Sequence, residues 1–143
     1  MKAKKNILSL LFLFFAIACN KKSVEPTKII TTSTSNCDSP VTATGGFTEE
    51  IIGIDLNADK GKIDFYYKTY GQPDRLVVSY ENKVLFDTKC VSTEDDPNID
   101  GDGFLKKTLP FSGSTKQIMV KTFSAECGGA VSTEWEFKLS CPY

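Results

Sequence analysis

Residues 62–81, KIDFYYKTYGQPDRLVVSYE, decide the fold class of this chain. Apolar or aromatic side chains recur at every second position on both sides of a polar turn: Ile63, Phe65 and Tyr67 before it, and Leu76, Val78 and Tyr80 after it. Because successive side chains of a β-strand point to opposite faces of a sheet, a period of two predicts two strands with one buried face each. The glycine, proline and aspartate between the two runs favour a turn.

The same period recurs along the chain after its N-terminal leader, and no run of ten or more residues there carries a helical stripe. We predict eight strands, at 39–44, 47–56, 62–69, 75–81, 84–89, 103–111, 117–123 and 131–140. This pattern favours an all-β, antiparallel β-sandwich of jelly-roll or immunoglobulin-like type, with a closed barrel as the alternative. Five aromatic side chains at inward positions are expected in its core: Phe65, Tyr67, Tyr80, Trp135 and Phe137.

The composition excludes several classes of function. The 143 residues, a length typical of one domain, include 17 basic and 18 acidic residues, and a formal net charge of −1 gives no support to a nucleic acid partner. The chain contains no histidine. Catalysis by a Ser-His-Asp or Cys-His arrangement is therefore excluded, as are a histidine general base, a histidine haem ligand and the two-histidine helical zinc motif.

Residues 1–18 are predicted to form a signal helix that is cleaved off. Lys2, Lys4 and Lys5 make a positive start, and the eleven residues 7–17 are apolar apart from Ser9. A helix of eleven residues reaches about 16 Å, well short of a hydrocarbon core of about 30 Å. A secretory signal peptide is therefore favoured over a retained membrane span.

The residues Ala16-Ile17-Ala18-Cys19 resemble the lipobox of bacterial lipoproteins, with alanine where leucine is more usual at the first position. The resemblance implies cleavage before Cys19 and acylation of that cysteine with chains such as palmitate. Two or three acyl chains hold firmly, whereas one binds reversibly. We therefore expect an extracytoplasmic, lipid-anchored protein of the bacterial cell envelope, with the outer membrane as the expected location. The alternative is an ordinary secreted protein with a chance cysteine at the cleavage site.

Residues 19–36 are predicted to be the lipidated cysteine and a disordered, flexible tether, and residues 37–143 the folded domain. The segment 20–36 is rich in serine, threonine and charged residues and has only three apolar side chains. So few apolar groups cannot offset the entropy lost on ordering the segment. An additional edge strand around residues 29–32 is the alternative.

Four cysteines remain once Cys19 is acylated, and an even number in an exported domain predicts two disulfides. If successive strands run up and down, the loops with Cys90 and Cys127 fall at one end of the sandwich, and Cys37 and Cys141 lie at the other. We therefore favour the pairs Cys90–Cys127 and Cys37–Cys141 among three possible pairings. A zinc site made by all four cysteines would need a reducing compartment, and the chain has no Cys-x-x-Cys pair.

The segment 94–104, EDDPNIDGDGF, is the one constellation that suggests a metal. Side-chain oxygens alternate at Asp96, Asn98, Asp100 and Asp102, and Ca²⁺ takes about six to eight oxygen ligands. The segment resembles the first half of the calcium loops of EF-hands, dockerins and thrombospondin type 3 repeats, which implies side-chain ligands at the first three positions and a main-chain carbonyl at the fourth. It departs from the EF-hand pattern at Lys107, where a bidentate acid is expected. A calcium site and a plain solvated acidic loop both stay open.

A second resemblance covers about residues 61–142. The turn Pro73-Asp74-Arg75, the hairpin sequence YENKVLFDT at 80–88 and the ending Cys141-Pro142 resemble a module found in bacterial secreted proteins. Asn82 stands where glycine is commoner in that module, and asparagine also tolerates a left-handed backbone. The resemblance implies an extracellular β-sandwich with no agreed activity, and no active site is carried over from it.

The favoured function is non-enzymatic: a membrane-anchored cell-envelope module that binds an extracytoplasmic glycan, protein or ion. One alternative is an inhibitor or immunity-type lipoprotein, which the small, acidic, disulfide-bonded format fits. A less favoured alternative is a small lipid-anchored glycan hydrolase. A glycosidase needs only two carboxylates, and Glu134 and Glu136 share one exposed face of a predicted strand.

Overall fold

The computed structural model describes residues 30–45, 49–123, 125–128 and 133–143. Within these residues the chain forms nine strands and one short 3₁₀ helix. The strands are β1 (Ile30–Asn36), β2 (Val41–Gly45), β3 (Glu49–Asp55), β4 (Lys60–Lys68), β5 (Arg75–Tyr80), β6 (Lys83–Asp87), β7 (Leu105–Ser112), β8 (Gln117–Phe123) and β9 (Thr133–Leu139), and the 3₁₀ helix is Ala125–Cys127. The predicted signal helix, Cys19 and residues 20–29 of the predicted tether lie outside the described residues.

The nine strands form two sheets that enclose one apolar core. The five-stranded sheet has the order β1-β3-β8-β5-β6, and the four-stranded sheet has the order β2-β9-β4-β7. Strands of the two sheets contribute to the same cluster of buried side chains. The predicted all-β sandwich is therefore confirmed. No helix in the described ranges is long and apolar enough to cross a membrane.

The period of two in the sequence becomes an alternation of burial in the structure. In β5, Leu76 and Val78 are fully buried, while Val77 between them is only half-buried. The five aromatic side chains predicted to face inwards are all in the core: Phe65, Tyr67, Tyr80, Trp135 and Phe137. Burying a side chain of this size contributes about 1.5–3 kcal/mol, so these residues account for much of the stability of the sandwich.

The predicted tether is shorter than expected, because Ile30–Asn36 forms strand β1. This strand pairs in parallel with β3, from Ile30 opposite Glu49 to Asn36 opposite Asp55. The few apolar side chains of β1 explain why the sequence favoured a tether. The strand forms because its main-chain groups are paired along β3 and because a disulfide at Cys37 holds its end. The folded part therefore includes residues 30–36, the sandwich has a ninth strand, and one strand pair is not antiparallel.

Two disulfides fasten strand ends to one another. Cys37, which follows β1, is bonded to Cys141, which follows β9, so this bridge joins the two sheets. Cys90, which follows β6, is bonded to Cys127 in the 3₁₀ helix after β8. These are the two pairs that the direction of successive strands favours.

The hairpin between β5 and β6 turns on two residues with positive φ, Glu81 at 47° and Asn82 at 64°. A two-residue turn of this kind matches the right-handed twist of the strands. The Glu81 carboxylate also accepts hydrogen bonds from the main-chain amides of Ser114 and Thr115. These amides, with that of Ser114 first, lower the pKa of Glu81. The carboxylate thereby ties the hairpin to the loop between β7 and β8.

Candidate functional site

The outward surface of the four-stranded sheet carries the candidate functional site. Strand β4 lies between β7 and β9, and its Tyr66 is opposite Lys106 of β7 and Lys138 of β9. Two residues further along β4, Lys68 is opposite Glu136 of β9. These positions alternate with buried ones and so point to the same side of the sheet. We call this surface the outer face.

Lysine ammonium groups of the outer face lie over aromatic rings. The distances from Nζ to the ring centre are 5.1 Å for Lys138 and 5.4 Å for Lys106 over Tyr66, and 4.7 Å and 5.6 Å for Lys68 over Tyr70 and Phe104. Contacts of this kind contribute about 0.5–1 kcal/mol at exposed sites. The positive charges of the face are therefore already engaged by its own aromatic side chains.

Asp64 fixes the C-terminal residue to the outer face. Its side chain accepts hydrogen bonds from the hydroxyls of Thr108 at 2.6 Å and Tyr143 at 3.2 Å, and one oxygen lies 2.7 Å from the ammonium of Lys106. The hydrogen bond from Lys106 is the main reason that the pKa of Asp64 lies below its ordinary value, and the bond from Thr108 is the next. This carboxylate is charged at neutral pH and has a structural role.

The predicted calcium loop runs between β6 and β7, and its carboxylates hold local turns. Oδ1 of Asp96 accepts hydrogen bonds from the main-chain amide of Asn98 at 2.8 Å and from its side-chain amide at 2.9 Å. Oδ1 of Asp100 accepts from the main-chain amides of Asp102 at 3.0 Å and Phe104 at 2.8 Å. These bonds shape the loop so that the ring of Phe104 reaches a lysine of β4 on the outer face.

A cleft of about 420 Å³ opens where the acidic loop, the outer face and the turn after β1 meet. Its lining combines four carboxylates, one lysine, two aromatic rings and a proline: Asp38, Pro40, Tyr66, Asp100, Asp102, Phe104, Glu136 and Lys138. The carboxylates come from three separate segments of the chain. Folding therefore concentrates negative charge at a place that no single stretch of sequence identifies.

A second, smaller cleft of about 280 Å³ involves the outer face and is lined by Tyr70, Gly71, Gln72, Glu94 and Glu134. Tyr70 connects the two clefts, because its hydroxyl lies 3.4 Å from an oxygen of Glu136 in the larger one. Burial raises the pKa of Tyr70, and the negative charges of Glu136 and Glu134 raise it further. Two carboxylates and the ammonium of Lys68 therefore all lie near this tyrosine.

The structure brings only two of the four predicted calcium ligands to the larger cleft. Asp100 and Asp102 line the larger cleft, whereas Asp96 and Asn98 do not. In the part of the chain that the structure describes, no group of three or more histidine, cysteine, aspartate or glutamate side chains could hold a metal ion. Calcium binding by these four residues stays a prediction from the sequence.

The two glutamates considered for glycan hydrolysis are divided between the clefts, with Glu136 in the larger and Glu134 in the smaller. A glycosidase needs both carboxylates on either side of one scissile bond. Glycan hydrolysis by this pair stays a prediction from the sequence.

Sequence reasoning identified Asp100, Asp102 and Glu136 but missed Asp38 and Phe104 as neighbours of these acids. Asp38 gave no signal because it follows β1, which the sequence offered only as an alternative edge strand around residues 29–32. Tyr66 gave a weak signal, since it is an aromatic residue at an outward position of an alternating strand.

The comparisons with known proteins support a conclusion about the fold only. No family model and no curated protein matches the chain. Among solved structures, the chain is similar to the pre-peptidase C-terminal domain of a collagenase from Bacillus anthracis, with 8% identity over 80% of this chain and 100% of that one and a TM-score of 0.54. It is also similar to PliG of Aeromonas hydrophila, a periplasmic inhibitor of g-type lysozyme, with 15% identity over 78% of this chain and 98% of that one and a TM-score of 0.45. The first likeness supports the β-domain fold, and the second is too distant to support a conclusion about this chain.

Proposed function

We propose that this protein is a lipid-anchored binding module of the bacterial cell envelope, and that it binds its ligand at the outer face. The observation that carries the binding proposal is the cleft of about 420 Å³ with its four carboxylates. Clefts of some hundreds of Å³ with a few convergent polar groups are the usual form of a binding site. Binding rather than catalysis is proposed, because the chain contains no histidine to act as a general base.

The location outside the cytoplasm is supported by two independent features. The sequence has a short apolar leader that ends in a lipobox-like Cys19. The folded domain has two disulfides, which form and persist in oxidising compartments and are rare in the cytosol. An anchor at Cys19 would leave residues 20–29 as the connection between the membrane and strand β1.

Replacing Cys19 by serine is expected to release the protein from membranes. The variant would lose the acylated thiol, and with it the burial of acyl chains that contributes about 0.8 kcal/mol per CH₂ group. Asn36→Ser, an exposed substitution in β1, is the matched control and should stay in the membrane fraction. The measurement is the distribution of each full chain between membrane and soluble fractions of its own cells.

Persistent membrane association of Cys19→Ser would overturn the lipid anchor, and so would a mass spectrum of the unaltered chain that shows an intact Met1. If Cys19→Ser is released, and the unaltered chain carries acyl chains on this residue, the anchor is supported. The result does not depend on which ligand the outer face binds.

We also propose calcium stabilisation, which rests on the sequence of the loop 94–104. If about 1 mM Ca²⁺ meets a site with a Kd of about 10 μM, the free energy of unfolding should rise by about 2.7 kcal/mol. The measurement is the melting temperature of the full chain with calcium, with an equal concentration of magnesium and with a chelator. The Asp96→Asn variant should lose the calcium response. An unchanged melting temperature at millimolar calcium would leave the segment as a connecting loop only.

A further inference from the structure

We propose that strand β1 is a self-association edge, at which β1 of one copy of this chain pairs in antiparallel direction with β1 of a second copy. The proposal goes beyond the binding function of the outer face and does not depend on its ligand. It rests on the open edge of β1, on the lack of charge in its sequence and on the fit of that sequence to an antiparallel copy of itself.

The free edge of β1 is open to solvent. In the described part of the chain, β1 has β3 on one side and no strand on the other. Three consecutive residues in its middle, Thr32, Ser33 and Thr34, are all exposed. Side chains of neighbouring strand residues point to opposite faces of a sheet, so exposure at all three positions shows solvent on both faces of the strand.

The main-chain groups of Thr32 and Thr34 point to this open edge. The amide of Cys37, directly after β1, donates a hydrogen bond of 3.1 Å to the main-chain oxygen of Asp55 at the end of β3. Main-chain groups of successive strand residues point alternately to the two edges, so those of Ser33 point to β3 as those of Cys37 do. The even-numbered residues therefore carry the donors and acceptors with which another strand can pair.

The other three edge strands of the two sheets carry features that hinder pairing with another chain. Strand β6 has a charged residue at each end and a register shift in its pairing with β5. Strand β7 contains two lysines and Pro110, which has no amide to donate. Strand β2 has five residues against the seven of β1, and it directly follows Pro40. Proteins protect sheet edges by charge, proline, irregular register and short length, and β1 has none of these features.

The sequence of β1 fits an antiparallel copy of itself. When two β1 strands overlap along their full length, Ser33, the middle one of seven residues, lies opposite Ser33 of the second copy. Thr32 then lies opposite Thr34 of the second copy, and their main-chain groups, which point to the open edge, pair with each other. Hydroxyl side chains that lie opposite one another in this way contribute about 0.2–1 kcal/mol per pair.

The lack of charge favours a second copy over a strand of another protein. A two-fold pair uses the same patch on both partners, so a charge in the strand would be repeated close by on the second copy. All seven side chains of β1 are uncharged, and pairing brings no like charges together. The same lack of charge gives a foreign strand no ionic feature by which β1 could select it.

The test compares two double variants of the full chain that add the same charge. Thr32→Lys with Thr34→Lys places lysines on β1, whereas Thr42→Lys with Ser112→Lys places them at exposed positions on the two edge strands of the other sheet. Oligomeric state is measured by sedimentation velocity in a detergent matched to the density of the solvent. The melting temperature of each variant shows whether it is folded, and Thr34→Lys alone takes the place of the β1 variant if that variant is not.

We expect the unaltered chain and the control variant to form dimers, and the β1 variant to raise the Kd of the dimer at least about tenfold. Lysines would then lie directly opposite each other across the two strands, and like charges in that position destabilise the pair. Raised salt should restore part of the dimer, because it screens these exposed charges. A monomeric unaltered chain at about 100 μM would overturn the proposal, and so would equal weakening by both variants.

The direction and register of the pairing are tested by a cross-link at Ser33. Opposite Cα atoms of a pair without main-chain hydrogen bonds lie about 4.5 Å apart, a separation that a disulfide can span. In oxidised membranes of its own cells, full-length Ser33→Cys should therefore form a covalent dimer on a non-reducing gel, while the control Thr42→Cys should not. Equal cross-linking of both variants, or none in Ser33→Cys, would overturn the antiparallel β1 pair. A cross-link from Ser33→Cys to a different protein would overturn it in favour of a foreign strand.

Discussion

Replacing Cys37 and Cys141 together by serine is expected to lower the free energy of unfolding by about 3–5 kcal/mol. The disulfide closes a loop with a sequence separation of 104 residues. In the chain-entropy model a bridge over about 100 residues contributes about 4.7 kcal/mol, because it removes much of the freedom of the unfolded chain. The expected result is a lower denaturant midpoint in equilibrium unfolding of the full chain.

Loss of this bridge should also have a local effect, on strand β1. Strand β1 is at the edge of the five-stranded sheet and has only β3 beside it. Its end is held by the bond from Cys37 to Cys141 after β9, in the other sheet. Without this bond the main-chain amides of β1 should exchange with solvent much faster, while those of the central strand β8 should stay protected.

Replacing Cys90 and Cys127 by serine is the matched control. That bridge has a sequence separation of 37, so the same model gives it about 1 kcal/mol less than the longer bridge. It also joins segments that follow two strands of the same sheet, β6 and β8, rather than the two sheets. If the Cys90 and Cys127 variant were the less stable of the two, closure of the long loop could not be the main effect of the Cys37–Cys141 bond.

The strands with a clear alternation of apolar residues could be predicted from the sequence. Burial of one face of a strand requires an apolar side chain at every second position, and this pattern is visible in the sequence. The runs at Ile63–Tyr67 and Leu76–Tyr80 are examples, and both are strands with their apolar side chains in the core. The disulfide pairs could be predicted for a related reason, since the number of strands between two cysteines decides at which end each lies.

Strand β1 could not be predicted with equal ease, because its stabilisation leaves little trace in its side chains. Its sequence ITTSTSN has one apolar residue. The strand exists through main-chain hydrogen bonds to β3 and the covalent bond at Cys37, and main-chain groups are the same for every residue type except proline.

The clefts of the outer face could not be predicted because they depend on which strands are neighbours. Strand β4 pairs with β7 and β9, which follow it by about 40 and 70 residues, and only this pairing brings Tyr66 beside Lys106 and Lys138. Charge and outward orientation were visible in the sequence for Glu136 and Asp100. Their proximity is a property of the sheet order.

Replacing Phe65 by alanine is expected to lower the free energy of unfolding by about 3–5 kcal/mol. Phe65 is fully buried in β4, and its ring centre lies 5.3 Å from that of Tyr67, 6.0 Å from that of Phe137 and 6.2 Å from that of Phe86. Phe86 belongs to the other sheet, so the substitution would leave a cavity where the two sheets meet.

Val84→Ala is the control for this prediction, because Val84 is one of the exposed large apolar residues and its truncation should change stability by less than about 0.5 kcal/mol. Phe65 also lies between Asp64 and Tyr66, whose side chains point to the outer face. Looser packing of β4 against the other sheet should therefore weaken ligand binding as well as lower stability, although Phe65 does not line either cleft. Phe65→Leu, which refills most of the cavity, should restore a large part of the stability and of the ligand affinity. Equal stability of Phe65→Ala and Val84→Ala would show that the sheets do not depend on this contact, and the outer face would then have to be held by its own network around Asp64.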